Sequence, residues 1–120
     1  MNERFGSRQG AATDERVRAV FSLLSSWRTA SAIGSLESGP KRFGALLREM
    51  DGVSPKVLTR TLRRLEGFGM VRRQVYPAVP AHVEYSLTKL GESVAAPLLE
   101  LRFWVETNTG SLGGDGSEER

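Results

Sequence analysis

The 120 residues contain no cysteine and a single histidine. Without a thiol the chain has no means of forming a disulfide, a thiolate metal site or a thiol redox sensor. The lone imidazole, His82, sits beside a loop; no serine–histidine–aspartate set assembles around it, and a satisfied or solvated ring is the simpler reading. No apolar run approaches the roughly 18 residues of a membrane span, and residues 1–10 lack the pattern of a signal peptide. Residues 110–116 are glycine-rich, but they neither follow a strand nor open a helix, so they do not read as a phosphate cradle. Glu49, Asp51 and Glu66 show no pairing that would suit hydrolysis. These absences leave no catalytic residue, metal ligand or cofactor to nominate, and a non-enzymatic, cytoplasmic protein with no membrane partner is expected. The length fits one domain. A folded unit over residues 13–106 is expected between a loose arm, 1–12, and a loose tail, 107–120, because both ends are rich in glycine, serine and charge.

What the chain does have is concentrated between Gly52 and Leu87. Val53-Ser54-Pro55 is a helix start: Ser54 can accept a backbone N–H one turn on, and Pro55 suits the first helical position, which needs no donor. Val53 and Leu58 then occupy the two positions of a hydrophobic staple. Gly67 or Gly69 is placed to end the helix. At about 100° per residue, Leu58, Leu62 and Leu65 form one narrow apolar stripe. Lys56, Arg60 and Arg63 project from the opposite side, with Thr59 at its edge. Lysine and arginine are common on any solvated helix, but this face carries no acid; Glu66, the helix's one carboxylate, lies off its centre. Arginine can bond two acceptors on guanine, and lysine or threonine can hold phosphates.

Charge is segregated along the chain. The net formal charge is only +3, yet residues 41–73 hold nine basic residues against three acids, a surplus of six. From Glu84 onward three basic residues face seven acids, a deficit of four. A polyanion-binding face on an otherwise acidic body has this distribution.

The framework around that helix is also periodic. Val17, Val20, Phe21 and Leu24 predict a first helix over residues 14–25, and a second is expected over 27–37, ended by Gly39-Pro40. Phe43, Leu46, Leu47 and Met50 give a short third helix, broken by Asp51-Gly52. The tight turn into the basic helix is what a helix-turn-helix requires. Val71, Arg73 and Val75 then alternate with Arg72, Gln74 and Tyr76, and Val83, Tyr85 and Leu87 with His82, Glu84 and Ser86. Two such runs around Pro77-Ala78-Val79-Pro80-Ala81 predict a β-hairpin with a protruding tip. A last helix, capped by Thr88 and running to about Val105, carries Leu90, Val94, Leu98, Leu101 and Val105 on one stripe. Pro97 is expected to bend it. Phe103 and Trp104 add apolar surface that suits either a dimer seam shared with the first helix or burial within the chain.

The fold class expected is therefore mainly α with a small β-hairpin (α+β), a winged helix-turn-helix flanked by N- and C-terminal dimerisation helices. Gly39-Pro40-Lys41-Arg42-Phe43, Val53-Ser54-Pro55-Lys56-Val57-Leu58-Thr59 and Arg63-Arg64-Leu65-Glu66 resemble the HxlR family of bacterial transcriptional regulators. The run from Val75 to Thr88, with its tyrosine-proline, valine-proline and valine-glutamate-tyrosine steps, is the most specific part of that resemblance. Leu90-Gly91 and Pro97-Leu98 extend it into the last helix. The resemblance covers residues 14–105 and implies a homodimer on near-palindromic double-stranded DNA, most simply a repressor. By that resemblance Lys41 and Arg42 would touch phosphate while Lys56, Thr59, Arg60 and Arg63 enter the groove. Ser54, Arg64, Arg73 and Tyr76 complete the expected DNA-contact set, although Tyr76 could instead anchor the hairpin. Val17, Phe21, Leu24, Leu98, Leu101, Trp104 and Val105 form the expected dimer interface.

The chain also departs from the family pattern. Many members carry a cysteine at the start of the first helix, where alignment on Trp27 places Asp14, so thiol sensing does not carry over. The usual glycine-glycine-lysine before the tryptophan is Leu24-Ser25-Ser26 here. The usual aliphatic run after it is Thr29-Ala30-Ser31-Ala32-Ile33; its small side chains could leave room for an unidentified small-molecule effector, but a repacked core is the preferred reading. A protein-interaction or architectural DNA-binding winged helix is the alternative, against which the acid-free basic face argues.

Overall fold

The computed structural model describes residues 13–113. The expected arm, and the part of the expected tail beyond Gly113, lie outside them. The chain runs through α1 (Asp14–Leu24), α2 (Trp27–Leu36), β1 (Lys41–Arg42), α3 (Phe43–Glu49), α4 (Pro55–Gly67), β2 (Val71–Tyr76), β3 (His82–Leu87) and α5 (Lys89–Asn108), closing on a 3-10 turn at Thr109–Ser111. This is a helical body with a small antiparallel sheet, the winged helix-turn-helix that the pattern predicts.

Four of the helices start at a side-chain cap, which satisfies a backbone donor that the helix itself leaves unpaired. The hydroxyls of Thr13, Ser26, Ser54 and Thr88 accept from the N–H groups of Arg16, Arg28, Val57 and Gly91, respectively. α4 ends in a double closure: Gly69 N–H donates to the Glu66 carbonyl and Met70 N–H to that of Leu65. The left-handed conformation this closure needs falls on Gly69, at φ 77°. Gly52 supplies the same conformation in the turn between α3 and α4.

The sheet has the order β1-β3-β2. The hairpin register runs from Val71 opposite Leu87 to Tyr76 opposite His82, so the two strands match their sequence limits. β1 is an addition: Lys41 pairs with Tyr85 and Arg42 with Glu84. A two-residue strand has too little alternation to show in the sequence.

α2 lies at the centre, against α1, α3, α4, α5 and β3. Its small residues are core residues: Thr29, Ala30 and Ala32 are buried beside Ile33. Leu46 from α3 and Leu58, Leu62 and Leu65 from α4 complete the inner layer. α5 stays one helix through Pro97 and continues past the expected Val105 to Asn108, so the expected tail boundary at Thr107 falls inside it.

The stripe expected along α5 divides. Ala95 and Leu98 are buried and Val94 packs on the core. Leu101, Phe103, Trp104 and Val105 are exposed. The middle of α5, around Ala95 and Leu98, thus closes the domain, whereas Leu90 near its start and the apolar residues from Leu101 to Val105 stay exposed.

α5 is fixed to the turn after α4 at very short range. Thr88 Oγ1 donates to the Gly69 carbonyl at 2.6 Å, and Thr88 N–H donates to the Met70 carbonyl at 3.0 Å. A Cβ on Gly91 would stand 2.1 Å from that Met70 oxygen. Only glycine allows the helix this close.

Candidate nucleic-acid interface

α4 turns Leu58, Thr61, Leu62 and Leu65 inward, so its remaining side is fixed by burial rather than by choice. Lys56, Thr59, Arg60, Arg63 and Arg64 together line one open groove of about 440 Å³ on that outer side. The lining holds four cations, one hydroxyl and no acid. Among the described residues none of these cations is in an ion pair. A groove of this kind presents multiple charged donors to a polyanion at no cost in broken internal pairs. Ser54 serves as the helix cap, its Oγ 3.1 Å from the Val57 nitrogen.

The other residues expected at DNA are placed unequally. Arg42 is exposed at the start of α3. Lys41 is turned back on the body: its Nζ donates to Ser38 Oγ at 2.8 Å and lies 3.8 Å from Glu49 Oε2. Its side chain is only 17% exposed. Ser35 Oγ holds the other oxygen of Glu49 at 2.7 Å, so Lys41 belongs to a network joining α2, β1 and α3. Arg73 is exposed on β2, opposite Tyr85. Tyr76 stacks on His82, ring centroids 4.9 Å apart, near the hairpin tip. His82 lies 3.5 Å from Glu84.

The expected dimer residues also divide. Val17, Phe21, Leu101, Trp104 and Val105 are exposed, Phe21 at 71%. Leu98 is buried in its own chain and Leu24 packs half-buried against the same core, so these two support the exposed surface from beneath. The helical period placed Leu98 on a stripe with Leu101, but it could not show where along α5 the domain stops.

Sequence reasoning missed Arg28. It lines a second cleft with Arg60 and Arg64, between the start of α2 and the flank of α4. Arg28 and Arg60 are brought together only by tertiary packing, and no local pattern could have paired them. Arg102 was also missed; its guanidinium lies 4.3 Å from the centre of the Trp27 ring.

A short helix, a tight turn, an outward basic helix and an antiparallel hairpin define a winged helix-turn-helix protein. The chain belongs to the HxlR-like helix-turn-helix family, whose model matches residues 15–112. It is 47% identical over 74 residues to YtfH of Escherichia coli, an uncharacterised HTH-type transcriptional regulator. That match covers 62% of this chain and 59% of the relative, so it spans about three fifths of that protein's length. A solved structure from Salmonella typhimurium, assigned as the transcriptional regulator ytfH, superposes with a TM-score of 0.74 at 39% identity, over 87% of this chain and 91% of that one. The oxidised form of the redox regulator HypR superposes with a TM-score of 0.70 at 33% identity, over 77% of this chain and 95% of that one. The redox description is HypR's; the present 120 residues contain no cysteine.

Proposed function

We propose that this protein is a cytoplasmic, sequence-specific DNA-binding transcriptional regulator that represses by occupying an inverted-repeat operator as a homodimer, without cysteine-based redox sensing. The observation that carries this reading is the acid-free groove of Lys56, Thr59, Arg60, Arg63 and Arg64 on the outer side of α4. Two such helices, related by a two-fold axis, would enter successive major grooves about 34 Å apart. The exposed Arg42 and Arg73 support contacts to the phosphate backbone. Lys41, held by Ser38 and Glu49, contributes little to that set. The exposed far half of α5, together with Val17 and Phe21 of α1, supports a dimer seam. A cleft of about 200 Å³ between α1, α2 and α5, lined by Leu24, Trp27, Ala30 and Leu98 among others, supports a place near that seam for a small effector.

The test is selection from random duplex DNA at near-physiological salt. Enrichment of an inverted repeat with half-sites about one turn apart is the expected result. Salt-sensitive binding to every duplex alike would replace the reading with an architectural one. Binding that responds to neither salt nor sequence would favour a protein-interaction module.

A further inference from the structure

The second cleft, about 210 Å³, is lined by Leu23, Ser26, Arg28, Thr29, Val57, Arg60, Thr61 and Arg64. Three features coincide there. Arg28, Arg60 and Arg64 supply three cations with no acid in the lining, and none of the three is ion-paired with another described residue. The start of α2 opens onto it: Ser26 Oγ caps the Arg28 N–H, while the N–H groups of Trp27 and Thr29 lie in the first turn, where no helical carbonyl reaches them. Such a terminus attracts anions. The third feature is independent of the first two. Thr29 is 1% exposed and Thr61 8%, both line the cleft, and neither hydroxyl has a hydrogen-bond partner among the described residues. Buried hydroxyls are ordinarily bonded, and an unbonded pair at the base of a cationic cleft is poised for an acceptor that arrives from outside.

We propose that this cleft is a phosphate subsite, which takes one phosphate group of the DNA backbone as α4 docks. Arg28 and Arg64 close on its oxygens from two helices, and Thr29 and Thr61 donate from below. The assignment rests on the DNA-binding reading and adds a contact that reaches the duplex from α2, outside the helix-turn-helix itself. Arg60, which lines both clefts, would link the phosphate held here to the bases read in the groove.

The full chain is titrated with inorganic phosphate and followed by amide NMR, and separately with duplex DNA over a range of salt. Phosphate is expected to move the Trp27, Arg28 and Thr29 amide signals in the wild type and to leave them in place in Arg28→Gln. On DNA, Arg28→Gln is expected to make the slope of log affinity against log salt shallower by about one unit, with the order of preferred sequences unchanged. A single uncharged methylphosphonate linkage, moved along the duplex, should weaken the wild type at each contacted phosphate, and at one of those positions per half-site it should cost Arg28→Gln clearly less than it costs the wild type. Thr29→Val keeps the shape and removes the hydroxyl; it should melt no lower than the wild type while losing phosphate response. Equal salt slopes and equal methylphosphonate profiles, with duplex binding intact, would overturn the subsite and leave the DNA-binding reading standing. Phosphate response without binding of any duplex would overturn that reading and make the cleft a site for a free phosphorylated ligand. Neither response would overturn both.

Discussion

Arg60 and Lys41 are both cations expected at DNA, and packing gives them opposite prospects. Arg60 is exposed and lines both clefts of α4. Arg60→Ala should lose discrimination worth roughly 1–3 kcal/mol at one base pair; competition assays across singly mutated operators would show this, and an unchanged profile would remove Arg60 from the base readers. Lys41 spends its charge on Glu49 and Ser38. Arg42→Ala should therefore flatten the salt dependence of DNA binding by about one unit, whereas Lys41→Ala should barely change it. Equal flattening by the two variants would show that the Lys41 network opens on DNA. The sequence reads both residues as available cations because their adjacency in the chain says nothing of Glu49. The ion pair forms only when β1 adds to the hairpin and α3 folds behind it.

Among the elements, those set by near neighbours were legible in the residues. α4 carries its own start, stripe and stop in Ser54, its three leucines and Gly69, so its basic face followed from its apolar one. The hairpin strands read as two runs rich in β-formers around a proline-marked loop, and their limits match the observed register. β1 was not legible, because its two residues become a strand only by pairing with Tyr85 and Glu84. The Arg28 cleft was hidden for the same reason: it exists between α2 and α4, on neither alone. The junction of α5 with α4 shows the opposite case, in which one residue type betrays a close contact. Gly91→Ala would drive a methyl group into the Met70 carbonyl and should cost about 3 kcal/mol, at the upper end for overpacking. Urea unfolding would measure it; a loss below 1 kcal/mol would mean that α5 can shift along the turn.

For the molecule as a whole, the decisive surface is the one the domain leaves uncovered. Phe21, Leu101 and Trp104 are large apolar side chains, each more than half exposed, and a partner that covered them would gain apolar burial. Phe21→Glu should leave the folding of the single chain nearly unchanged, within about 0.5 kcal/mol, since little of that ring is buried. It should nonetheless convert a dimer to monomers in sedimentation and abolish the preference for two half-sites over one. A dimer of undiminished strength would move the seam elsewhere. The sequence marked this surface as apolar, but it could not divide α5 into a half that closes the domain and a half that leaves it.

That division makes the start of α5 a bracket. In a dimer joined through the far half, the near half carries α4 at an angle set by Thr88, Gly69 and Met70, with Gly91 pressed against the turn. No flexible linker would separate such a seam from α4. The distance between the two α4 helices of such a dimer would then be a ruler cut into the fold, with a pair of hydrogen bonds and a missing methyl group as its graduations. A chain built this way would choose its operators by their spacing as well as by their letters, and a change in the spacing it accepts would have to begin at that glycine or at the seam itself.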